Sequence, residues 1–460
     1  MFLFVHMSRL LLTFYGDDFT GSTDALEQLT LAGIRTALFI APPTPAQLKQ
    51  FPGLQAVGVA GMTRAMKPAA MERELRPAFK KLKALGARHV HYKVCSTFDS
   101  SPAIGSIGRA MDVAVKIFPS PFIPLLVATP ALGRYTIFGQ HFARYGIGSA
   151  GAIHRLDRHP SISQHPVTPM TEADLRLHLA KQTRQRVALF DLLKVGLPAK
   201  DVRVAFKQLL AAKPDAVLFD ALNVEHLSRI GGLIDEYAST RSPLFSVGSS
   251  GIEAALAAHW QSEGRVLRVP NFENRDLWNS SLRMKNILVG SGSCSPVTSG
   301  QIAWALNNGF VEVPLKVPAL ANSKTSAGEI KAAAGVAAKF LKAGKSVIVH
   351  TTKSGSNQRI AARLKDDTAK VLGAALGKVL SEAIRQSSVL RICIAGGDTS
   401  SHAARALGIK SLEMIAPLTP GAPLCRAHAP GSPADGCEVV FKGGQVGGEN
   451  YFGIVKNGKT

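Results

Sequence analysis

Two adjacent carboxylates, Asp17 and Asp18, follow an apolar run and open the stretch Gly16-Asp17-Asp18-Phe19-Thr20-Gly21-Ser22-Thr23-Asp24. A carboxylate pair at a strand end can bind hydroxyls, hold a cation or accept a proton, whereas capping the helix that follows requires only one of the two. Asp24 adds a third on the first turns of that helix. Further on, Lys93 precedes Cys95-Ser96-Thr97-Phe98-Asp99-Ser100-Ser101. A cation among hydroxyls and the free N–H groups of a helix start suits an anionic, oxygen-rich ligand. Cys95 has no basic neighbour in the local sequence and reads as a buried small residue, not a nucleophile. In Thr129-Pro130-Ala131-Leu132-Gly133-Arg134, the arginine offers a planar fork for a carboxylate or phosphate, with a surface position as the plain alternative. His154, His159 and His165 match no helical metal pair and read as loop histidines.

The second half carries a different pattern. Gly290, Gly292 and Gly300 flank Ser291, Ser293, Ser295 and Thr298 between an apolar run and a helical one. Ala395-Gly396-Gly397-Asp398-Thr399-Ser400 repeats that arrangement. Glycine–hydroxyl loops at strand-to-helix junctions let backbone amides approach phosphate, and two of them suggest a nucleotide. Neither is a P-loop or a clean G-x-G-x-x-G, so a dinucleotide-dependent dehydrogenase is disfavoured. Lys442, beside Gly443 and Gly444, can meet polyphosphate as a point cation, although a hairpin or exposed turn also explains Gly-Gly. Thr419-Pro420-Gly421-Ala422 is a further glycine turn in this region.

The elements that must hold these residues follow from the hydropathy rhythm. Short apolar runs such as L-L-L-T-F-Y, R-T-A-L-F-I, L-Q-A-V-G-V-A and A-R-H-V-H-Y-K-V alternate with helical patterns, which predicts parallel sheets covered by helices. Residues 261–285 break the rhythm and mark a domain connection. The expected architecture is α/β with two domains, 1–265 and 286–460, each a mostly parallel sheet flanked by helices, with a cleft between them. Ligands of such sheets sit beyond the carboxyl ends of the strands, where the residues above cluster.

With 460 residues, 46% hydrophobic and 19% charged, the chain can bury a substantial core, which excludes disorder and fibre. Its 54 basic and 32 acidic residues leave a net charge of +22, open to nucleic acid, anionic membrane or small anionic substrates. The basic residues are scattered without interleaved aromatics, which argues against nucleic acid. No apolar run is long enough to span a bilayer, and the apolar start lacks the features of a secretory signal. Five sparse cysteines without metal-ligand spacing fit a reducing cytoplasm.

Taken in order, D-D-F-T-G-S-T-D, G-S-C-S-P-V-T-S-G-Q, G-G-D-T-S, P-G-A-P-L and K-G-G-Q-V-G resemble the four-carbon acid sugar kinase family over nearly the whole chain. The resemblance implies an amino-terminal domain that binds an acid sugar, a carboxyl-terminal domain that binds ATP, and Mg²⁺ for the phosphates. It implies transfer to a terminal hydroxyl of compounds such as threonate, erythronate or 3-oxo-tetronate. Asp17 or Asp18 would be the base. Thr20, Asp24, Lys93, Ser96, Thr97, Gly133 and Arg134 would bind the substrate, with Lys93 and Arg134 on its carboxylate. Ser293, Ser295, Gly396, Gly397, Asp398, Thr399, Gly421, Lys442, Gly443 and Gly444 would surround the nucleotide, Asp398 being a rival base or metal organiser. Expected partners are the sugar acid and ATP, with a homodimer left open and no nucleic acid or membrane. Where many members read D-S-T-L-R-G-N, this chain has Cys95-Ser96-Thr97-Phe98-Asp99-Ser100-Ser101 and lacks the Arg and Asn. That departure points to an oxidised or branched acid, such as a 3-oxo-isoapionate-type compound. A non-catalytic sensor of anionic metabolites would keep the ligand site but not require the carboxylate pair.

Overall fold

The computed structural model describes residues 10–145, 151–165, 167–267, 283–293, 295–351 and 368–458, without the side chains of residues 368, 369 and 398. The first nine residues, Cys294, most of the expected 261–285 connection and the Asp398 side chain therefore lie outside the described part. Two compact units divide the chain at 269/270.

In the first unit, eight strands line up in parallel. They are β1 (Leu12–Gly16), β2 (Thr36–Phe39), β3 (Ala56–Ala60), β4 (His89–Lys93), β5 (Ile123–Leu126), β9 (Val187–Phe190), β10 (Ala216–Phe219) and β11 (Leu244–Gly248). The sheet order is β2-β3-β1-β4-β11-β5-β10-β9. β1, β3, β4 and β11 are buried along their whole length, because helices cover both faces of a parallel sheet. Tyr15, Phe79, Tyr92, Phe118 and Phe245 interlock in the core under one face. From β1 the chain runs to β2 and β3 on one side and then crosses to β4 on the other. That reversal, at the carboxyl ends of the central strands, is the place where sheets of this kind bind ligands.

Three further strands, β6 (Arg134–Ile137), β7 (Gln140–Arg144) and β8 (Ile153–Arg155), form an antiparallel sheet. His154 is therefore a strand residue and not a loop one. His159 is buried, stacked on Tyr145 with ring centroids 5.7 Å apart.

The second unit has its own sheet, β13-β14-β12-β15-β18-β17-β16, built from β12 (Leu288–Ser291), β13 (Val311–Pro314), β14 (Val347–His350), β15 (Arg391–Ala395), β16 (Ser411–Thr419), β17 (Ala422–His428) and β18 (Glu438–Lys442). The first five in that order are parallel, and β17 and β16 continue it antiparallel. Ser295 and Pro296 start the helix Pro296–Asn307, where proline's missing N–H costs nothing. Ile302, Ile348, Cys393, Val440 and Phe452 fill its core.

Candidate functional site

The carboxyl ends of β1, β3 and β4 converge on the Asp17-Asp18 pair. The Asp17 N–H donates to the Lys93 carbonyl at 2.8 Å, and its own carbonyl accepts from the Arg64 N–H at 3.0 Å, so the backbone beside the pair is fixed from both flanks. The two carboxylates differ sharply. Asp18 caps the helix Phe19–Leu31, accepting from the Gly21 N–H at 2.7 Å, from Thr20 Oγ1 at 2.8 Å, and from the Arg64 guanidinium. Its oxygens are engaged in holding structure. Asp17 Oδ1 is buried with no hydrogen-bond partner. Burial pushes the Asp17 carboxyl up to about 7; Arg64 and Lys93 oppose the shift, while Asp18 and Asp99 add to it. A carboxyl poised near neutrality with one unpartnered oxygen is equipped to take a proton.

Lys93 lies beneath, with Nζ 3.2 Å from Asp24 Oδ2 and donating to the Val94 carbonyl at 3.1 Å. Its side chain is 1% exposed. Burial alone would favour loss of its proton, but Asp24, Glu253 and Asp17 outweigh that and hold Lys93 above its ordinary value. Thr97 Oγ1 donates to Asp99 Oδ1 at 2.9 Å, and the Ser96 carbonyl pairs with His141 Nε2 at 2.9 Å. Asp99, standing where family members carry a cation nearby, is not an isolated anion, because Arg64 Nη1 lies 4.0 Å from its Oδ2. Arg64 is the residue that sequence reasoning missed. It follows β3 as Lys93 ends β4, and the same strand-end search applied to A-V-G-V-A-G-M-T-R would have found it.

Arg134 is buried, and its Nη1 donates to the carbonyls of Leu132, Gly133 and Arg144 at 3.0, 3.3 and 3.1 Å, while Nε has no partner. Burial lowers its pKa, against the pull of Cys95, Asp99 and Asp24. Gly133 makes the left-handed turn (φ +67°) that carries the chain into β6.

In the second unit three loops meet at the carboxyl edge. A Cβ on Gly292 would lie 2.3 Å from Thr399 Oγ1, and one on Gly396 (φ +121°) would lie 3.2 Å from the Ser293 N–H nitrogen. Only glycine allows that approach in that conformation. The Gly396 N–H donates to the Lys442 carbonyl at 2.9 Å, and Gly444 stands against Ser293 and Ser295. Ser293, Ser295, Gly396, Gly397, Thr399, Gly443 and Gly444 are thus brought to one place. Leu424 pairs with Val440, and this antiparallel register carries the turn at Gly421 (φ +80°) to the same edge as Lys442. Lys442 is fully buried, donating to Thr298 Oγ1 at 3.0 Å with Nζ 5.5 Å from the Tyr451 ring centroid. Burial pulls its ammonium down to about 8. Amides and hydroxyls at the start of the helices Pro296–Asn307 and Gly397–Ala406 are of the kind that can receive phosphate oxygens.

An α/β unit with an unpartnered carboxylate at its switch point, and a second α/β unit with glycine–hydroxyl loops suited to phosphate, have the parts that a small-molecule phosphotransferase needs. Comparison with known proteins makes the class particular. A sugar-binding N-terminal domain family matches residues 12–256, and a nucleotide-binding C-terminal domain family matches residues 288–452. The 3-oxo-isoapionate kinase of Paraburkholderia graminis is 42% identical, over 98% of this chain and 95% of its own. The 3-oxo-tetronate kinase of Methylobacterium radiotolerans is 30% identical, over 95% and 96%. A Salmonella typhimurium protein of solved structure shares the fold, with a TM-score of 0.75 at 23% identity over 98% of this chain and 99% of that one. The chain belongs to the four-carbon acid sugar kinase family, and it is a sugar acid kinase that uses ATP to phosphorylate an alcohol group. Among the described residues no helix is long and apolar enough to cross a membrane.

Proposed function

We propose that this kinase phosphorylates the terminal hydroxyl of an oxidised or branched short-chain sugar acid of the 3-oxo-isoapionate type, with residues 1–265 binding the acid and residues 286–460 binding ATP. The observation that carries the reading is the unpartnered Asp17 Oδ1, buried among Lys93, Arg64 and Asp18 in the sugar-binding unit. Asp17, rather than Asp18, is the base. The acceptor hydroxyl donates to Asp17 Oδ1; as its oxygen bonds to the γ-phosphorus and the bond to ADP breaks, the proton passes to Asp17. Catalysis of this kind rests on positioning and charge neutralisation, which the cations around Asp17 supply.

The substrate carboxylate falls to Lys93, Arg64 and the free Nε of Arg134, with Thr20, Asp24, Ser96, Thr97 and the Gly133 turn shaping the site. Arg64 from the β3 loop takes the place of the cation that the 95–101 loop lacks. The resulting change in where positive charge enters favours an acid of different shape from threonate, in keeping with 42% identity to a 3-oxo-isoapionate kinase against 25–30% to 3-oxo-tetronate kinases. In the nucleotide unit, the amides and hydroxyls of the three loops receive the phosphates, and Lys442 stands beneath them. Mg²⁺ would be carried in on the phosphates, with mostly phosphate and water ligands. The free thiols of Cys95, Cys393 and Cys437 support a cytoplasmic setting.

The test is ADP release with a panel of four- and five-carbon aldonic and oxo acids. Highest kcat/KM on a 3-oxo-isoapionate-type acid is expected. A clear preference for plain threonate or erythronate would show that the 95–101 loop does not set specificity.

A further inference from the structure

Directly beneath Lys93, the helix Gly251–Ser262 delivers Glu253 into the protein interior. Glu253 is 0% exposed, and neither of its carboxyl oxygens has a hydrogen-bond partner. The groups facing it are Lys93 and His91 from β4 and Asp24 from the helix Phe19–Leu31. His91 Nε2 lies 3.6 Å from Glu253 Oε1 and is itself without a partner, while His91 Nδ1 pairs with Ser246 Oγ at 3.1 Å. Burial, with Lys93 beside it, pulls His91 down to about 3, so the imidazole is neutral and supplies no counter-charge. Lys93 is already paired with Asp24 at 3.2 Å.

An ionised carboxylate buried here with no hydrogen bond to either oxygen would bear a desolvation cost that one shared ammonium does not repay. The charge balance argues the same way. Around the site, Lys93, Arg64 and Arg134 are matched by Asp18, Asp24 and Asp99. Asp17 must be ionised to act as a base while an anionic substrate sits beside it. A second extra negative charge at Glu253 would repel that substrate and draw Lys93 away from it.

We propose that Glu253 works in its protonated form, as a positioning residue that leaves the charge of Lys93 available to the sugar-acid carboxylate. This rests on the functional reading above. Burial, opposed by Lys93 and by its own backbone N–H and aided by Asp24, holds the Glu253 carboxyl up at about 8, which agrees with the geometry. Deprotonation at alkaline pH converts Lys93 from a substrate ligand into the partner of two buried carboxylates, so sugar-acid binding weakens while ATP binding does not.

The test is the pH dependence of KM for each substrate in wild type and Glu253→Gln, the neutral isostere. At about pH 7 the variant is expected to keep sugar-acid kcat/KM within roughly threefold of wild type. Between about pH 7 and about pH 9 the wild-type sugar-acid KM should rise by roughly fivefold or more, that of Glu253→Gln should stay flat, and the two ATP KM profiles should coincide. A tenfold loss in the variant at neutral pH, or an alkaline rise in KM that survives the substitution, overturns the proposal on the scale of these effects, ~1 kcal/mol. Where Glu253→Gln shows no cooperative melt, infrared spectra of Asp17→Asn decide. A protonated carboxylic C=O band at neutral pH that disappears at alkaline pH supports the proposal, and no such band overturns it. An enzyme that releases no ADP with any sugar acid fails the functional reading, and the inference falls with it.

Discussion

With Asp17 proposed as the base and Asp18 engaged as a helix cap, the two neighbours should answer differently to substitution. Asp17→Asn should lose roughly 10²–10⁴ in kcat, the usual worth of a general base, with the fold intact. Asp18→Asn should instead lower the melting temperature, since it weakens a helix cap worth about 1 kcal/mol and unpairs Arg64. Turnover of Asp17→Asn at the wild-type rate would reassign the base. The raised pKa of Asp17 gives both profiles a sign. Turnover needs the ionised form, so kcat should climb as pH rises through about 7. Stability runs the other way: the fold favours the protonated carboxyl, whose contribution is complete below the ordinary 3.8 and lost as pH rises through about 7. Asp17→Asn should therefore gain in melting temperature relative to wild type on going from acidic to mildly alkaline pH. Arg64→Ala should raise the sugar-acid KM by tenfold or more, on the order of 1.4 kcal/mol, and leave the ATP KM unchanged. The carboxylate pair was legible in the sequence because two acids after an apolar run exceed what capping requires. Arg64 was within reach of the same strand-end reading but looks like an ordinary surface residue, whereas Glu253 was not legible until the sheet order sets β11, and the helix that follows it, beside β4.

At the scale of elements, the buried parallel strands were read directly from short apolar runs, and the glycine–hydroxyl loops from their position after them. What escaped was the part of the fold whose hydropathy is broken. β11 lies in P-L-F-S-V-G, where Pro243 and Ser246 interrupt the run, although Ser246 is buried to meet His91. β6 and β7 alternate buried and half-buried residues, the pattern of an antiparallel sheet wet on one side, and β16 and β17 make the second sheet mixed. The convergence of three loops in that unit makes a sharp prediction. Gly292→Ala places a methyl 2.3 Å from Thr399 Oγ1, where the loops leave no room for it. Calorimetry should show ADP binding lost in this variant, with circular dichroism unchanged. Undiminished ADP affinity would mean that the phosphates lie elsewhere.

For the molecule as a whole, the excess of 54 basic over 32 acidic residues is the feature that composition alone could not assign. Both substrates of a sugar acid kinase are anions, and a net charge of +22 steers them inward by a field that salt screens beyond about 10 Å at 0.1 M. The kcat/KM for each substrate should fall as ionic strength rises, with kcat much less affected. The central claim is that Asp17 deprotonates the hydroxyl of an oxidised or branched sugar acid for attack on ATP. The most direct measurement is ADP release, with the phosphorylated product followed by ³¹P NMR, for wild type and Asp17→Asn on a 3-oxo-isoapionate-type acid. Wild type should give stoichiometric phosphate monoester and the variant a rate lower by roughly 10²–10⁴, with substrate and nucleotide affinity preserved. Phosphorylation by Asp17→Asn at the wild-type rate would contradict the central claim.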